Sequence, residues 1–474
     1  MRSGKIVIFS VGIVGMLALN GCKKLAEDPP PENTITTTEV FSSEATATAA
    51  LIGIYNDMIS GGSNESFDWS NGFTSYGLGL SADELGNYYS YNTNNAQFQT
   101  NQLQSSNSAV SSSFWNAPYF DVYLENSVIA GTQSSSTLDA SEKNQLIGEA
   151  EFLRAFTYFY LVNYFGPIPL VNTINYNVTA TLGRDSVGAI YALILSDLHD
   201  AQNLLPPDYS VSAGQRFRAN KWAATALLAR VYLYLGNWAG ADSAATAVLS
   251  NTSLYSLVPV LTNVFLANSN EAIWQLIPNS TSQYATWEGE QNLPYPANST
   301  DPVYYMTTTL LNAFDSGDQR RVQWVDSSNY SGPWVYYPFK YEVQYTNSGS
   351  VTEWYMMLRL AEQYLIRAEA EAHGAGDGIT AAVQDMDTIR SRAGVAAYSG
   401  ATDETSVMNA IMHERQVELF AEWGHRWLDL KRWGNAVSVL TATKGFPVSQ
   451  NSLLYPIPIS ELQLDYNLHQ NTGY

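Results

Sequence analysis

Apolar residues recur every three to four positions from Ala47 through Ala50, Leu51, Ile54 and Tyr55 to Met58, which predicts a helix over residues 43–59. Between residues 60 and 113 the pattern dissolves into Gly, Ser, Asn and Tyr, and no element is predicted there. Helical periodicity returns at Phe114 and dominates to about residue 250. Residues 142–165 carry Leu146, Ala150, Leu153, Phe156, Tyr160 and Leu161, and Gly166-Pro167-Ile168-Pro169 ends that helix, because proline lacks the amide hydrogen that continues it. A further helix over 187–205 stops at Pro206-Pro207. Residues 220–235 and 239–250, joined by Gly236-Asn237-Trp238, predict an αα-hairpin whose small residues let two helices approach closely.

That hairpin has the small/large alternation of a tetratricopeptide unit, and residues 142–205 and 354–392 read as looser copies. Their starts are too far apart for a repeat of about 34 residues, so large insertions must interrupt any solenoid. The largest, 251–353, is rich in Tyr, Trp, Asn, Pro and Gly, with strand-like pieces at 272–277 and 334–343. A helix over 404–422 leads to 428–433 and an irregular, proline-punctuated tail. The expected fold is mostly α: an irregular tetratricopeptide-like scaffold with long aromatic and polar loops that contain a few short strands. Its expected organisation is a signal segment (1–21), a lipidated cysteine and tether (22–42), an N-terminal region (43–270) with the 60–113 insertion, and a C-terminal region (271–474). The last comprises a second insertion (271–353), a last repeat (354–393) and the tail.

Composition narrows the partners. The net charge of −21 repels phosphate backbones and excludes nucleic acid as a partner. Aromatics reach 13% while charged residues reach only 14%, and neutral amides and hydroxyls fill the gap. Rings that cover apolar faces beside groups that answer polar edges suit a neutral, hydroxyl-rich ligand. The single cysteine, Cys22, follows a basic start (Arg2, Lys5) and a short apolar run over 6–19. That run is too short for a permanent span and has the layout of a secretory signal; its end at a lone cysteine points to lipidation of Cys22, the alternative being an ordinary signal peptide. Several acyl chains hold a protein to a membrane durably, whereas one does so marginally.

Ligand candidates lie in the insertions. Trp69, Tyr88, Tyr89 and Tyr91, flanked by Asn87 and Asn92, form the densest aromatic–amide cluster of the first; Trp287, Tyr295, Tyr304 and Tyr305 form a second. Neither shows a helical stripe, and rings from both are expected to converge, with sugar faces on the rings and hydroxyls on the amides. Trp115 and Trp222 fall on helical apolar faces and are expected in the core. Arg154, Arg359 and Arg415 stand three residues from Glu151, Glu362 and Glu418, and Asp429 three from Arg426 and Arg432, which predicts buried ion pairs that lock helices. Catalytic signals are poor. The five histidines are scattered, no zinc-ligand spacing or P-loop occurs, and Asp83 and Glu84 are adjacent, as a glycosidase pair is not. No cofactor or metal is implied.

Four stretches, in order, carry a resemblance. They are Glu149-Ala-Glu-Phe-Leu-Arg-Ala-Phe156 through Tyr164-Phe-Gly-Pro-Ile-Pro-Leu170; Leu358-Arg-Leu-Ala-Glu-Gln-Tyr-Leu365 with Ala368-Glu-Ala370 and Ile389-Arg-Ser-Arg-Ala-Gly394; Glu414-Arg415, Glu418-Leu419 and Gly424-His-Arg-Trp-Leu-Asp-Leu-Lys-Arg-Trp-Gly434; and Tyr455-Pro-Ile-Pro458 with Gln470-Asn-Thr-Gly-Tyr474. Together they resemble the SusD/RagB family of nutrient-binding outer-membrane lipoproteins of Bacteroidetes. The resemblance implies four irregular tetratricopeptide units, anchoring to the outer membrane at Cys22 with the protein facing outward, and a role as the lid of a SusC-like TonB-dependent transporter. It also implies capture of oligosaccharides, or in some members peptides, without cleavage. A transporter-clasping protein without a sugar pocket is the further alternative. Trp423 stands where many members have Glu before the glycine, and no family motif aligns with residues 92–113.

Overall fold

The computed structural model describes residues 36–60, 69–89, 91–280, 284–294, 300–330, 332–344 and 351–474. The signal segment, Cys22 and Tyr295 lie outside these residues.

Helix ends are set by side chains the sequence places at the boundaries. Asp139 accepts from the amides of Ser141 and Glu142 while Glu142 returns to the Asp139 amide, a capping box that opens Ala140–Phe165. Gly166 closes it at φ 75°, and Pro167 follows. Asn220 caps Lys221–Tyr234, and Asn237 caps Trp238–Leu249. The helices then stack in chain order. Glu44–Ser60 packs on Ala117–Ser134, which packs on Ala140–Phe165, followed by Val187–Leu204, Lys221–Tyr234, Trp238–Leu249, Leu360–Ala372 and Ile379–Arg392; Glu404–Glu418 closes on the last two. Small residues allow the close approach: Ala229, Ala241, Ala245 and Ala370 are fully buried around Leu233 and Ile366.

The second insertion leaves this stack after Leu249 and rejoins it through a strand. Ala272–Leu276 pairs antiparallel with Tyr355–Arg359, and every residue of both strands is buried. Residues 355–359 are therefore strand, not the start of the repeat helix expected from 354; two covered faces give a continuous apolar run that periodicity does not separate from a helix. Val325–Ser328 pairs with Val335–Pro338, a shorter strand than expected. The helix expected to run to 422 ends at Glu418, because Ala421, Trp423 and Gly424 all take positive φ. Trp423 is held there by Ser75 Oγ on its amide (2.9 Å) and by donation from its ring to the Met356 carbonyl (2.9 Å).

The described part of the first insertion, for which no element is predicted, holds regular structure. Trp69–Phe73 is a π turn leading into helix Thr74–Ser81; a strand follows at Leu85–Asn87 and a helix at Thr93–Gln99, and Val110–Asn116 runs into Ala117–Ser134. Thr74–Ser81 is buried on every side, so it shows no amphipathic stripe. Gly77 and Gly79 sit against Phe114 and Leu85 with no room for a Cβ.

Buried ion pairs form as expected, but of the named pairs Asp429–Arg432 alone has its expected partner among the described residues. Arg154 forks onto Asp197 (2.8 and 2.7 Å) of the neighbouring helix, not Glu151. Arg359 binds Glu271, Glu418 and Glu422 rather than Glu362, which instead takes Arg230. Arg415 pairs with Asp429, which also takes Arg432; Arg426 turns away to Asp83. Packing brings carboxylates from other elements closer than the next helical turn does. Trp115 is buried as expected, whereas Trp222 is half-buried and donates to the Pro207 carbonyl.

Candidate functional site

The two insertions are joined by their own backbone. Leu85–Asn87 pairs antiparallel with Tyr304–Met306, with Gly86 opposite Tyr305 and Asn87 opposite Tyr304. The Tyr305 ring lies so close over Gly86 that an added Cβ would meet its Cζ at 2.2 Å and the ring would have to shift. The Tyr88 amide donates to the Val303 carbonyl (2.9 Å), and the Tyr89 hydroxyl to the Asp301 carbonyl (3.2 Å). Asn92 caps the Thr93–Gln99 helix by accepting from the Asn95 amide (3.1 Å). Asn95 then donates its side-chain amide to the Tyr304 hydroxyl (3.0 Å), and the Tyr304 ring stacks on Tyr76 at 4.2 Å and 10°.

These contacts border an open-mouthed cavity of about 240 Å³. Asn92, Asn94, Asn95, Ser108, Ser112 and Ser113 line it from the first insertion, and Trp287, Gln291, Val303 and Tyr304 from the second, with Phe73 and Ala109 between. Rings, amides and hydroxyls make up the wall without a charged side chain among the described residues. Asp83 and Glu84 do not line it: Asp83 is forked by Arg426 (2.8 and 3.0 Å), and burial, then the Asp83 charge, pushes Glu84 up to about 8. Next to Trp287 in sequence, burial pushes Glu288 up to about 7 against hydrogen bonds from Tyr355 and Ser75.

Of the expected ligand residues, Asn92, Trp287 and Tyr304 line this cavity, although Trp287 and Tyr304 are 7% and 4% exposed and offer only part of each ring. Tyr88, Tyr89 and Tyr91 form a contiguous run of rings beside the same strand pair, with centroids 5.3 and 5.4 Å apart, and Tyr91 is 78% exposed. Tyr305 packs on Gly86 and is not among the lining residues. Trp69 is a correction. It is wholly buried against Phe156, Tyr160 and Trp423 and donates to Asp121 (2.7 Å), so it is a core ring and presents no face to a ligand. Sequence reasoning missed Asn94, Asn95, Ser108, Ser112, Ser113 and Gln291. The available signal was compositional, in the asparagine run at 92–95 and the serine-rich 105–113.

Larger grooves lie elsewhere. One of about 780 Å³ lies among Trp238, His373, Met408 and Trp433; another of about 570 Å³ lies among Trp115, Tyr123, Tyr176 and Leu464. Neither holds an expected ligand residue. Among the described residues, no group of three His, Cys, Asp or Glu could hold a metal ion, and no helix is long and apolar enough to cross a membrane.

Known proteins place this architecture. A SusD-like family described as starch-binding and associating with the outer membrane matches residues 33–233, and the SusD family matches residues 275–474. The SusD-like protein P2 of Formosa agariphila is 27% identical over 520 residues, covering 98% of each chain. A SusD superfamily protein from Bacteroides vulgatus superposes with a TM-score of 0.78 at 21% identity over 92% of this chain and all of that one. A laminarin-binding SusD-like protein does so with a TM-score of 0.75 at 23% identity, over the same shares. The chain is a member of the SusD/RagB family, whose proteins associate with the outer membrane and bind ligands without catalysing a reaction.

Proposed function

We propose that this protein is a lipid-anchored glycan receptor that captures oligosaccharides in the cavity between its two insertions and hands them to a SusC-like TonB-dependent transporter. The observation that carries this reading is the joining of Asn92, Asn95, Trp287 and Tyr304, which come from insertions some 200 residues apart, around one uncharged polar and aromatic cavity. Such a wall gains apolar burial from a sugar face and offers hydroxyls both donors and acceptors. The relatives support the class of ligand: one solved structure of this fold is described as laminarin-binding, and the matched family as starch-binding. Tyr88, Tyr89 and Tyr91 extend the platform beyond the cavity, and Tyr305 positions the strand pair. Cys22 supplies the anchor on the outer face of the membrane, and the helical stack is the surface that clasps the transporter.

Calorimetric titration of the folded protein against panels of oligosaccharides and of peptides tests this reading. Saturable binding of one glycan class, weakened at least tenfold by Asn95→Ala, is the expected result. Binding of peptides alone would replace the glycan by a peptide in the same lid role. Silence in both panels would leave only the transporter-clasping role.

A further inference from the structure

The two stretches that line the cavity carry no positive charge. Residues 25–142 and 231–319 contain no lysine, arginine or histidine, yet they hold 14 and 7 acidic residues. Every residue that lines the cavity between the insertions falls within these two stretches. Three cations brought toward the first insertion from elsewhere in the fold are already committed. Arg426 forks onto Asp83, and the Lys444 ammonium is held by the carbonyls of Leu80, Ser81 and Gln99 and by Asn101 Oδ1, at 2.7 to 2.9 Å. Lys340 is buried between the carbonyls of Glu418 and Phe420 and the Glu422 carboxylate.

We infer that the site is selective for uncharged oligosaccharides and rejects glycans that carry uronate, sulfate or phosphate groups. This deepens the glycan-receptor reading and rests on it. An anionic group entering this cavity leaves water without a guanidinium or ammonium to replace the lost hydration, and a buried unpaired charge is costly. A neutral hydroxyl meets no such penalty, because the lining asparagines, serines and Gln291 supply donors and acceptors of matching strength. The lining also lacks a carboxylate, so a cationic amino sugar gains no partner in the cavity either.

The test is calorimetric titration of the folded protein with length-matched oligosaccharides: neutral glucans, mannans and galactans, uronate oligomers, sulfated galactans and de-N-acetylated amino-sugar oligomers, each at low and at physiological salt. The expected result is saturable binding of a neutral class with an affinity that changes less than twofold with salt, and at least a hundredfold weaker binding of every charged class. Saturable binding of a uronate, sulfated or cationic oligomer without a comparable neutral ligand would overturn the selectivity and leave the glycan receptor intact. Silence across all classes would overturn the receptor reading, and the selectivity with it.

Discussion

Two regions of this molecule each hold a fully buried glutamate and treat it in opposite ways. In the C-terminal half, Glu418 lies beneath Arg320, Arg359 and Arg392. Arg359 also reaches Glu271 at 3.0 Å and Glu422 at 2.7 Å, and Arg320 reaches Glu414 at 2.6 Å. Burial favours the neutral acid, but the three guanidiniums outweigh it and hold Glu418 well below the ordinary carboxylate range. In the N-terminal half, Glu125 is equally buried and has the Thr157 hydroxyl (2.8 Å) as its hydrogen-bond donor; burial pushes it up to about 8. Glu84 follows it to about 8. The difference lies in the partners each carboxylate is given. The C-terminal clamp uses charge to lock the last repeats to the strand that ends the second insertion, while burial without a guanidinium partner pushes Glu125 and Glu84 toward the neutral acid.

Breaking the clamp gives the largest effect. Arg359→Met leaves the carboxylates of Glu271, Glu418 and Glu422 short of a cation, and removal of one partner from such a buried network costs about 3–5 kcal/mol. Urea unfolding reads this directly, and a loss below about 1 kcal/mol would show that the network contributes little.

Glu125 breaks the comparison from the other side. Its folded value lies above the ordinary 4.5, so the native state binds this proton more tightly than the unfolded chain. The stabilisation is complete below about pH 4.5 and is lost as pH rises through about 8. Glu418 runs the other way: its contribution is present above pH 4.5 and is lost on acidification. Glu125→Gln, which keeps the shape and removes the titration, is expected to flatten the fall in stability from pH 5 to pH 8, by on the order of 1–3 kcal/mol. An unchanged slope in urea midpoints across that range would show that Glu125 is ionised in the native state.

The two insertions meet by close steric fit as well, and Gly86 is one of the tight points. Gly86→Ala drives a Cβ into the Tyr305 ring and is expected to cost about 1–3 kcal/mol, as overpacking does. The displaced strand pair carries Tyr304 with it, so ligand affinity falls as well. Wild-type affinity in a destabilised variant would separate the strand pair from the site.

The same contrast explains what could be read from the chain. The repeat helices were legible because caps, prolines and one-sided apolar stripes coincide, as they do at Asp139, Gly166-Pro167 and Asn220. The first insertion was not, because Thr74–Ser81 is covered on all sides and its glycines serve close packing, so the signals of a helix are absent from a helix. Tyr304 was legible as an aromatic beside amides, whereas its partner Asn95 was lost among neighbouring asparagines. Trp69 misled for a related reason: a tryptophan among Ser, Asn and Gly looks exposed, and only the returning Ala140–Phe165 helix and Trp423 bury it.

Tyr91 isolates the smallest effect, and for that reason the most selective one. The ring is 78% exposed and leans on Tyr89 at a 39° tilt, so its removal takes little from the folded state. Tyr91→Ala is expected to leave stability within about 0.5 kcal/mol of the parent, as surface substitutions do. Any change in glycan affinity then reports contact with ligand and nothing else. A roughly fivefold loss, about 1 kcal/mol, is expected if the platform extends from the cavity onto the exposed rings, as aromatic contacts of that size contribute. Unchanged affinity in Tyr91→Ala beside a loss in Asn95→Ala would confine recognition to the cavity between the insertions. The bound glycan would then be no longer than the few sugar units that about 240 Å³ and its mouth accommodate.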